Sequence, residues 1–311
     1  MSTAPPTLIV IAGPTASGKT AAAIRVAQHL DTVIISADSR QFFREMSIGT
    51  AKPTPDELAA APHYFINSHS VTESFSVGDF ERECLALLDD LFKKKQVVIL
   101  AGGSGLYIKA ICEGFDNIPD ANPAIRERLN NELAEKGIAP LQERLKTIDS
   151  AYYAEVDISN PQRVIRALEV YESSGQPFSS FRTAKTNQRP FNIVKIGLDL
   201  PREILYHRIN QRVDLMLDEG LVEEVKSLTS YRTLNALNTV GYSEIFEYLN
   251  GKTDLADAVG LIKQNTRRFA KRQMTWFRKD KEIVWVDALG PNLLNQILTA
   301  VNEKAQLKKP G

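Results

Sequence analysis

The chain has 311 residues, 38 Lys and Arg against 38 Asp and Glu, and 43% hydrophobic and 24% charged residues. This ordinary globular usage excludes disordered and fibrous classes, and at ~150 residues per domain the length suits one large domain or two moderate ones. No apolar run nears the ~18 residues of a membrane helix, no Lys or Arg precedes the first short apolar run as in a signal peptide, and two cysteines, Cys84 and Cys112, cannot build a disulfide framework or a four-cysteine zinc site. The expectation is a cytoplasmic protein with no membrane partner, and zero net charge argues against non-specific coating of nucleic acid.

Five short β-branched runs are predicted as strands: Leu8–Ala12, Val33–Ser36, Val97–Ala101, Ile193–Leu198 and Ile283–Val286. Most are apolar throughout, as strands buried on both faces are, and helical stretches such as Thr20–Leu30 and Phe80–Lys94 alternate with them. That rhythm predicts an α/β fold with a parallel sheet flanked by helices. Residues 117–189 break it, with helices over Asn122–Lys136, Ala139–Thr147 and Pro161–Ser173, the last opened by the Asn160-Pro161 cap and stopped at Gly175-Gln176-Pro177. This block reads as an all-helical insertion, leaving 1–116 and 190–311 as the core. After the fourth strand the chain is helical from Pro201 to about Lys279, with a last helix near Asn292–Glu303 and a frayed tail at Lys308–Gly311.

Residues Gly13, Pro14, Thr15, Ala16, Ser17, Gly18, Lys19 and Thr20 satisfy G-x-x-x-x-G-K-[ST] between a strand and a helix. Such a P-loop curls its backbone N–H groups around phosphate oxygens, with Lys19 on the outer phosphates and the Thr20 hydroxyl on Mg²⁺. It implies a di- or triphosphate and leaves the reaction open. Ligands of open α/β sheets bind beyond the carboxyl ends of the strands. There the second strand delivers Asp38, Ser39, Arg40 and Gln41, and the third delivers Gly102, Gly103, Ser104 and Gly105, a flexible turn where backbone could approach a ligand. Asp38 is a candidate proton acceptor or water-mediated metal partner, or else a helix cap. The third strand ends in Ala-Gly-Gly rather than a metal-anchoring Asp, and no Asn-Lys-x-Asp sequence occurs, so ordinary nucleotide hydrolysis loses ground.

Arg208 and Arg212 stand at i, i+4 in a predicted helix over Pro201–Asp218, either clamping a diphosphate or lying on a solvated face with Glu203 or Asp214; His207 reads as surface. Gln162, Arg163 and Arg166 share a face of the insertion helix, opposite Val164, Leu168 and Tyr171. Between Lys263 and Lys281 eight basic residues, including Arg267, Arg268, Lys271, Arg272 and Arg278, meet only Asp280, with Phe269, Trp276 and Phe277 interleaved. Such a run is either a solvated face or a polyanion surface.

Seven stretches resemble the tRNA dimethylallyltransferase (isopentenyl-tRNA transferase) family: Gly13–Thr20, Asp38–Gln41, Ile48-Gly-Thr-Ala-Lys-Pro53, Gly102-Gly-Ser-Gly-Leu-Tyr107, Asn160-Pro-Gln-Arg-Val-Ile-Arg166, Val240-Gly-Tyr242 and Ala270-Lys-Arg-Gln-Met-Thr-Trp-Phe-Arg278. They follow the family's order across most of the chain; the phosphate loop is generic, while Ile48–Pro53 and Ala270–Arg278 are specific. Phe43 stands where the family often has Tyr, and without extra Cys/His pairs the chain fits the bacterial type.

The resemblance implies transfer of a dimethylallyl group from its diphosphate to N6 of the adenosine 3′-adjacent to the anticodon of tRNA. It implies Mg²⁺ as cofactor, Asp38 as proton acceptor, and diphosphate bound by Gly13–Thr20. It also implies tRNA contacts at Asp38, Ser39, Arg40, Gln41, Ser104, Arg126, Gln162, Arg163, Val164, Ile165, Arg166, Lys271, Arg272 and Gln273. The insertion would grip the anticodon stem, and the chain would act as a monomer. Two other readings of the residues are a small-molecule or nucleotide kinase with Arg208 and Arg212 as lid arginines, and a phosphate-loop RNA-binding switch.

Overall fold

The computed structural model describes residues 5–114, 118–119, 122–182 and 188–307, of which 305–307 are described by backbone alone. The expected division at 116/117 and the tail Lys308–Gly311 lie outside the described residues. Contacts divide the chain into two units, Met1–Cys112 with Arg189–Gly311, and Glu113–Gln188.

The first unit holds six strands: β1 (Thr7–Ala12), β2 (Ile34–Ser36), β3 (His63–Tyr64), β4 (Val97–Gly102), β5 (Asn192–Asp199) and β6 (Val284–Asp287). They lie in the order β3-β2-β4-β1-β5-β6, every neighbouring pair parallel. Two-residue periodicity deals the apolar run of β1 to opposite faces. Leu8, Val10 and Ala12 pack with Phe80, Cys84 and Leu88 of the Val77–Phe92 helix. Ile9 and Ile11 pack with Ala23, Val26 and Ala27 of the Lys19–His29 helix and with Ile297 and Val301 of the last helix. Sheet strands covered on both faces need no polar alternation, which is why β1 and β4 are legible as solid apolar runs. The two-residue edge strand β3 was not expected, being too short to show a period.

Because β1 leads away to β2 on one side and β4 leads back past β1 to β5 on the other, the order reverses between β1 and β4. A crevice opens at such a point, and here it receives the Gly13–Thr20 loop and the Gly102–Gly105 turn.

The second unit is helical throughout its described residues: Pro123–Lys136, Ala139–Ile148, Ser150–Glu155, Pro161–Ser174 and Phe178–Phe181. Asn122 and Asn160 cap two of these helices, the Asn160 carboxamide oxygen accepting from Gln162 N at 3.1 Å and Arg163 N at 3.4 Å. Leu129, Leu141, Leu145, Val164, Ile165 and Leu168 form its core.

Candidate active site

The phosphate loop leaves β1 and enters the Lys19–His29 helix through Gly18, whose φ of 90° is a left-handed conformation that suits glycine. Its helix-heading N–H groups face no partner in their own helix, the arrangement that receives phosphate. Lys19 folds back so that Nζ donates to the Pro14 carbonyl at 2.6 Å. Burial brings its pKa down to about 8, with Asp38 raising it and Arg212 lowering it further. The Ser17 hydroxyl is buried without a hydrogen-bond partner. Two members of the expected diphosphate set are otherwise engaged. Pro14 has no N–H and its carbonyl is taken by Lys19, and the Thr15 N–H donates to Gln273 Oε1 at 2.9 Å.

Asp38 follows β2 and caps no helix: Oδ1 accepts from Arg40 N at 3.0 Å, and the next helix begins at Pro55. Burial pushes its carboxyl above the usual range, against the lowering pull of its backbone hydrogen bonds and of Lys19. Asp38, Lys19, Thr20, Arg40, Ser104 and Arg212 all line one cavity of about 520 Å³. Arg208 stands beside them, its Nη1 3.9 Å from where a Cβ on Gly18 would lie. Asp214 pairs with Lys263 at 2.5 Å, so of the two acids expected to occupy the arginines it serves another cation. His207 is exposed, as a surface residue.

Gly102 and Gly103 of the Gly102–Gly105 turn line the same cavity. Protein also packs closely on this turn: a Cβ on Gly103 would stand 2.4 Å from Gln273 Nε2, and one on Gly105 2.2 Å from the Trp276 indole. Ser104 keeps its place on the cavity wall, its Oγ accepting from Ser39 N at 2.9 Å and so tying the β2 and β4 loops together. Gln41 accepts from Ser36 Oγ and donates to the carbonyls of Thr50 and Ala51, so its amide braces the loop.

Gln273 lines the cavity, and its amide is engaged within the protein. It is buried, and both ends of its amide are used inside the protein, one on Thr15 N and the other on Gly103 O at 2.8 Å. Its neighbours on the Leu255–Phe277 helix diverge. Arg272 faces the cavity over Phe269, Lys271 faces a separate concavity with Tyr206 and Arg278, and Phe277 is buried rather than interleaved with the surface charges. The basic run is partly neutralised: Lys263 pairs with Asp214, and Arg278 with Asp199.

Sequence reasoning missed Glu224. Its carboxylate accepts from the N–H groups of Ser47, Ile48 and Gly49 at 2.8–3.0 Å and from Tyr242 Oη at 2.6 Å, clasping the segment that supplies Gly49, Thr50 and Ala51 to the cavity wall. No local pattern announces it, because Glu224 lies about 175 residues from the loop it holds.

Within the helical unit, Gln162 and Arg163 are exposed at a helix start. Val164 and Ile165 are fully buried in the unit's core and are corrected as tRNA contacts. Arg126 and Arg166 both hold Glu169, a fully buried carboxylate, at 2.6 and 3.0 Å, so their charge is committed within the fold. Tyr171 is half-buried.

Among the described residues no cluster of three or more His, Cys, Asp or Glu could hold a metal. Mg²⁺ needs no such cage, since it takes one or two protein oxygens and fills its shell from phosphates and water. The Thr20 hydroxyl and the Asp38 carboxylate, sharing one cavity, fit that demand.

The family model described as IPP transferase matches residues 41–280. The tRNA dimethylallyltransferase of Christiangramia forsetii is 54% identical over 297 residues, covering 95% of this chain and 98% of that protein. The protein of the same name from Cytophaga hutchinsonii is 50% identical, covering 96% and 97%. The crystal structure of the full-length tRNA isopentenylpyrophosphate transferase of Bacillus halodurans superposes with a TM-score of 0.71 at 36% identity, covering 97% of this chain and 99% of that one.

Proposed function

The chain belongs to the IPP transferase family, and from that premise we propose that it moves a dimethylallyl group from dimethylallyl diphosphate to N6 of the adenosine 3′-adjacent to the anticodon in tRNA, releasing diphosphate. The observation that carries this reading is one cavity in which a carboxylate of raised pKa, Asp38, sits with Lys19 and Arg212 at the mouth of a phosphate loop.

An exocyclic adenine amine is a weak nucleophile because its lone pair is drawn into the ring. The N6–carbon bond forms as the carbon–oxygen bond to diphosphate breaks, the bonding pair leaving with the diphosphate and the N6 proton passing to Asp38. Burial makes Asp38 a stronger base than an ordinary carboxylate. Lys19, Arg212 and the neighbouring Arg208 balance the negative charge that grows on the leaving group. The hydroxyl of Thr20 would hold a Mg²⁺, which when bound supplies further charge neutralisation to the diphosphate. A base swung out of its stack into this cavity also displaces water, which would otherwise trap the allylic carbon. In the helical unit, the exposed Gln162 and Arg163 are the proposed tRNA contacts that remain. No described helix is long and apolar enough to cross a membrane, and this reading takes the enzyme as a cytoplasmic monomer.

Incubation with labelled dimethylallyl diphosphate and unmodified tRNA tests the proposal. Label in the RNA and release of diphosphate are expected; phosphorylated product from ATP with unlabelled RNA would replace it with the kinase reading.

A further inference from the structure

Part of the cavity wall comes from two segments far apart in the chain, Gly49–Ala51 and Asn238–Gly241. Neither lies in a helix or strand, so neither has a backbone ladder to fix it. One carboxylate reaches both. Glu224, on the Leu221–Ser227 helix and outside the lining, accepts from the N–H groups of Ser47, Ile48 and Gly49 and from the hydroxyl of Tyr242, which follows Gly241. Four donors fill the acceptor capacity of its two oxygens. The buried Tyr242 ring rests on Gly49, where a Cβ would stand 2.5 Å from it. Ala51 is held at φ 48°, a left-handed conformation that alanine keeps only where its surroundings enforce it.

The clasp continues to the proton acceptor. Gln41 Nε2 donates to the carbonyls of Thr50 and Ala51 at 3.3 and 3.1 Å, and its Oε1 accepts from Ser36 Oγ at the end of β2. Asp38 in turn takes hydrogen bonds from the N–H groups of Arg40 and Gln41. A continuous path therefore runs from Glu224 through residues 47–51 and Gln41 to Asp38. The phosphate loop is braced from another side, by Gln273 on Thr15 N.

We propose that Glu224 is a positioning residue for the transfer, its clasp on Ser47–Gly49 and Tyr242 setting where Asp38 stands against the phosphate loop. It acts through the loop and not on the reacting atoms. This inference rests on the transferase reading above, which makes Asp38 the acceptor. Because the diphosphate cradle has its own brace, loss of the clasp slows turnover and spares donor binding.

Prenylation kinetics at saturating tRNA test this. Glu224→Ala should lower kcat by ~10²-fold, the scale of a displacement of about 1 Å at the reacting groups, with the KM for dimethylallyl diphosphate unchanged. Glu224→Gln keeps the size and one acceptor oxygen and should recover part of that loss. Tyr242→Phe keeps the ring on Gly49 and removes one donor, so it should lower kcat less than Glu224→Ala does. A parent-like kcat in Glu224→Ala overturns the proposal, and so does a KM that rises in step with the fall in kcat, the mark of a general loosening. Should Glu224→Ala fail to fold, Glu224→Gln and Tyr242→Phe decide, a parent-like kcat in both overturning it. In each of these cases the parent still labels tRNA and the transferase reading stands; a parent that labels no tRNA overturns both.

Discussion

Two carboxylates, one in each unit, meet the same penalty of burial and resolve it in opposite ways. Glu169 in the helical unit is driven upward by desolvation, but hydrogen bonds and charge from Arg126 and Arg166 outweigh that and hold it below the usual carboxylate range. Asp38 in the crevice has two backbone hydrogen bonds and a neighbouring Lys19, and burial still prevails, leaving it above that range. A buried acid saturated by guanidiniums is a structural tie; one held short of saturation beside a phosphate loop keeps its affinity for a proton. Arg126 and Arg166 are both implied by the resemblance as tRNA contacts, and the sequence alone does not show that they share this acid, because it lies on the inside of the fold.

The sharpest way to break this contrast is to neutralise Asp38. Asp38→Asn should lower turnover by at least ~10²-fold, the scale of a lost general base, while dimethylallyl diphosphate still binds. The parent enzyme should lose turnover as pH falls through the raised Asp38 pKa, since the acceptor must be ionised. An Asp38→Asn protein with normal turnover removes Asp38 from the chemistry.

Stability should move in opposite directions at the two sites. Glu169→Gln strands two guanidiniums and should cost ~2–4 kcal/mol in a urea melt, toward the lower end because both arginines are partly exposed. Asp38→Asn should raise the melting temperature. The signs follow from linkage: a lowered pKa contributes stability above the ordinary carboxylate range that is lost as pH falls, whereas a raised carboxylate pKa costs stability at neutral pH and is relieved on acidification. Two melts shifting the same way would erase the distinction.

Lys19 sharpens the crevice side. With a pKa of about 8, it loses its charge as pH rises, so the Kd for dimethylallyl diphosphate should climb up to tenfold per pH unit above that point. A flat profile between pH 7 and 10 would show that Lys19 stays protonated or plays no part. The smallest effect belongs to the exposed Arg163. Arg163→Ala should leave stability within ~0.5 kcal/mol and reduce the salt slope of tRNA binding by about one, whereas an unchanged slope would remove it as a phosphate contact.

The parallel core and its phosphate loop were readable in advance because their signals are local. An apolar run such as Leu8–Ala12 announces a strand covered on both faces, Gly13–Thr20 needs fixed spacing, and Asn160-Pro161 opens a helix within two residues. The roles of Gln273, Glu169 and Glu224 were not readable in that way. Each is one polar residue in a helix whose pattern is satisfied whether it faces a ligand, solvent or a distant loop. Chain order supplied the strands, the cradle and Asp38, since these depend on neighbours in sequence. Packing settled which polar groups are consumed internally and which are left to act, because the partners that decide this, Thr15 for Gln273 and Ser47–Gly49 for Glu224, lie up to 258 residues away and meet only when the sheet and helices assemble.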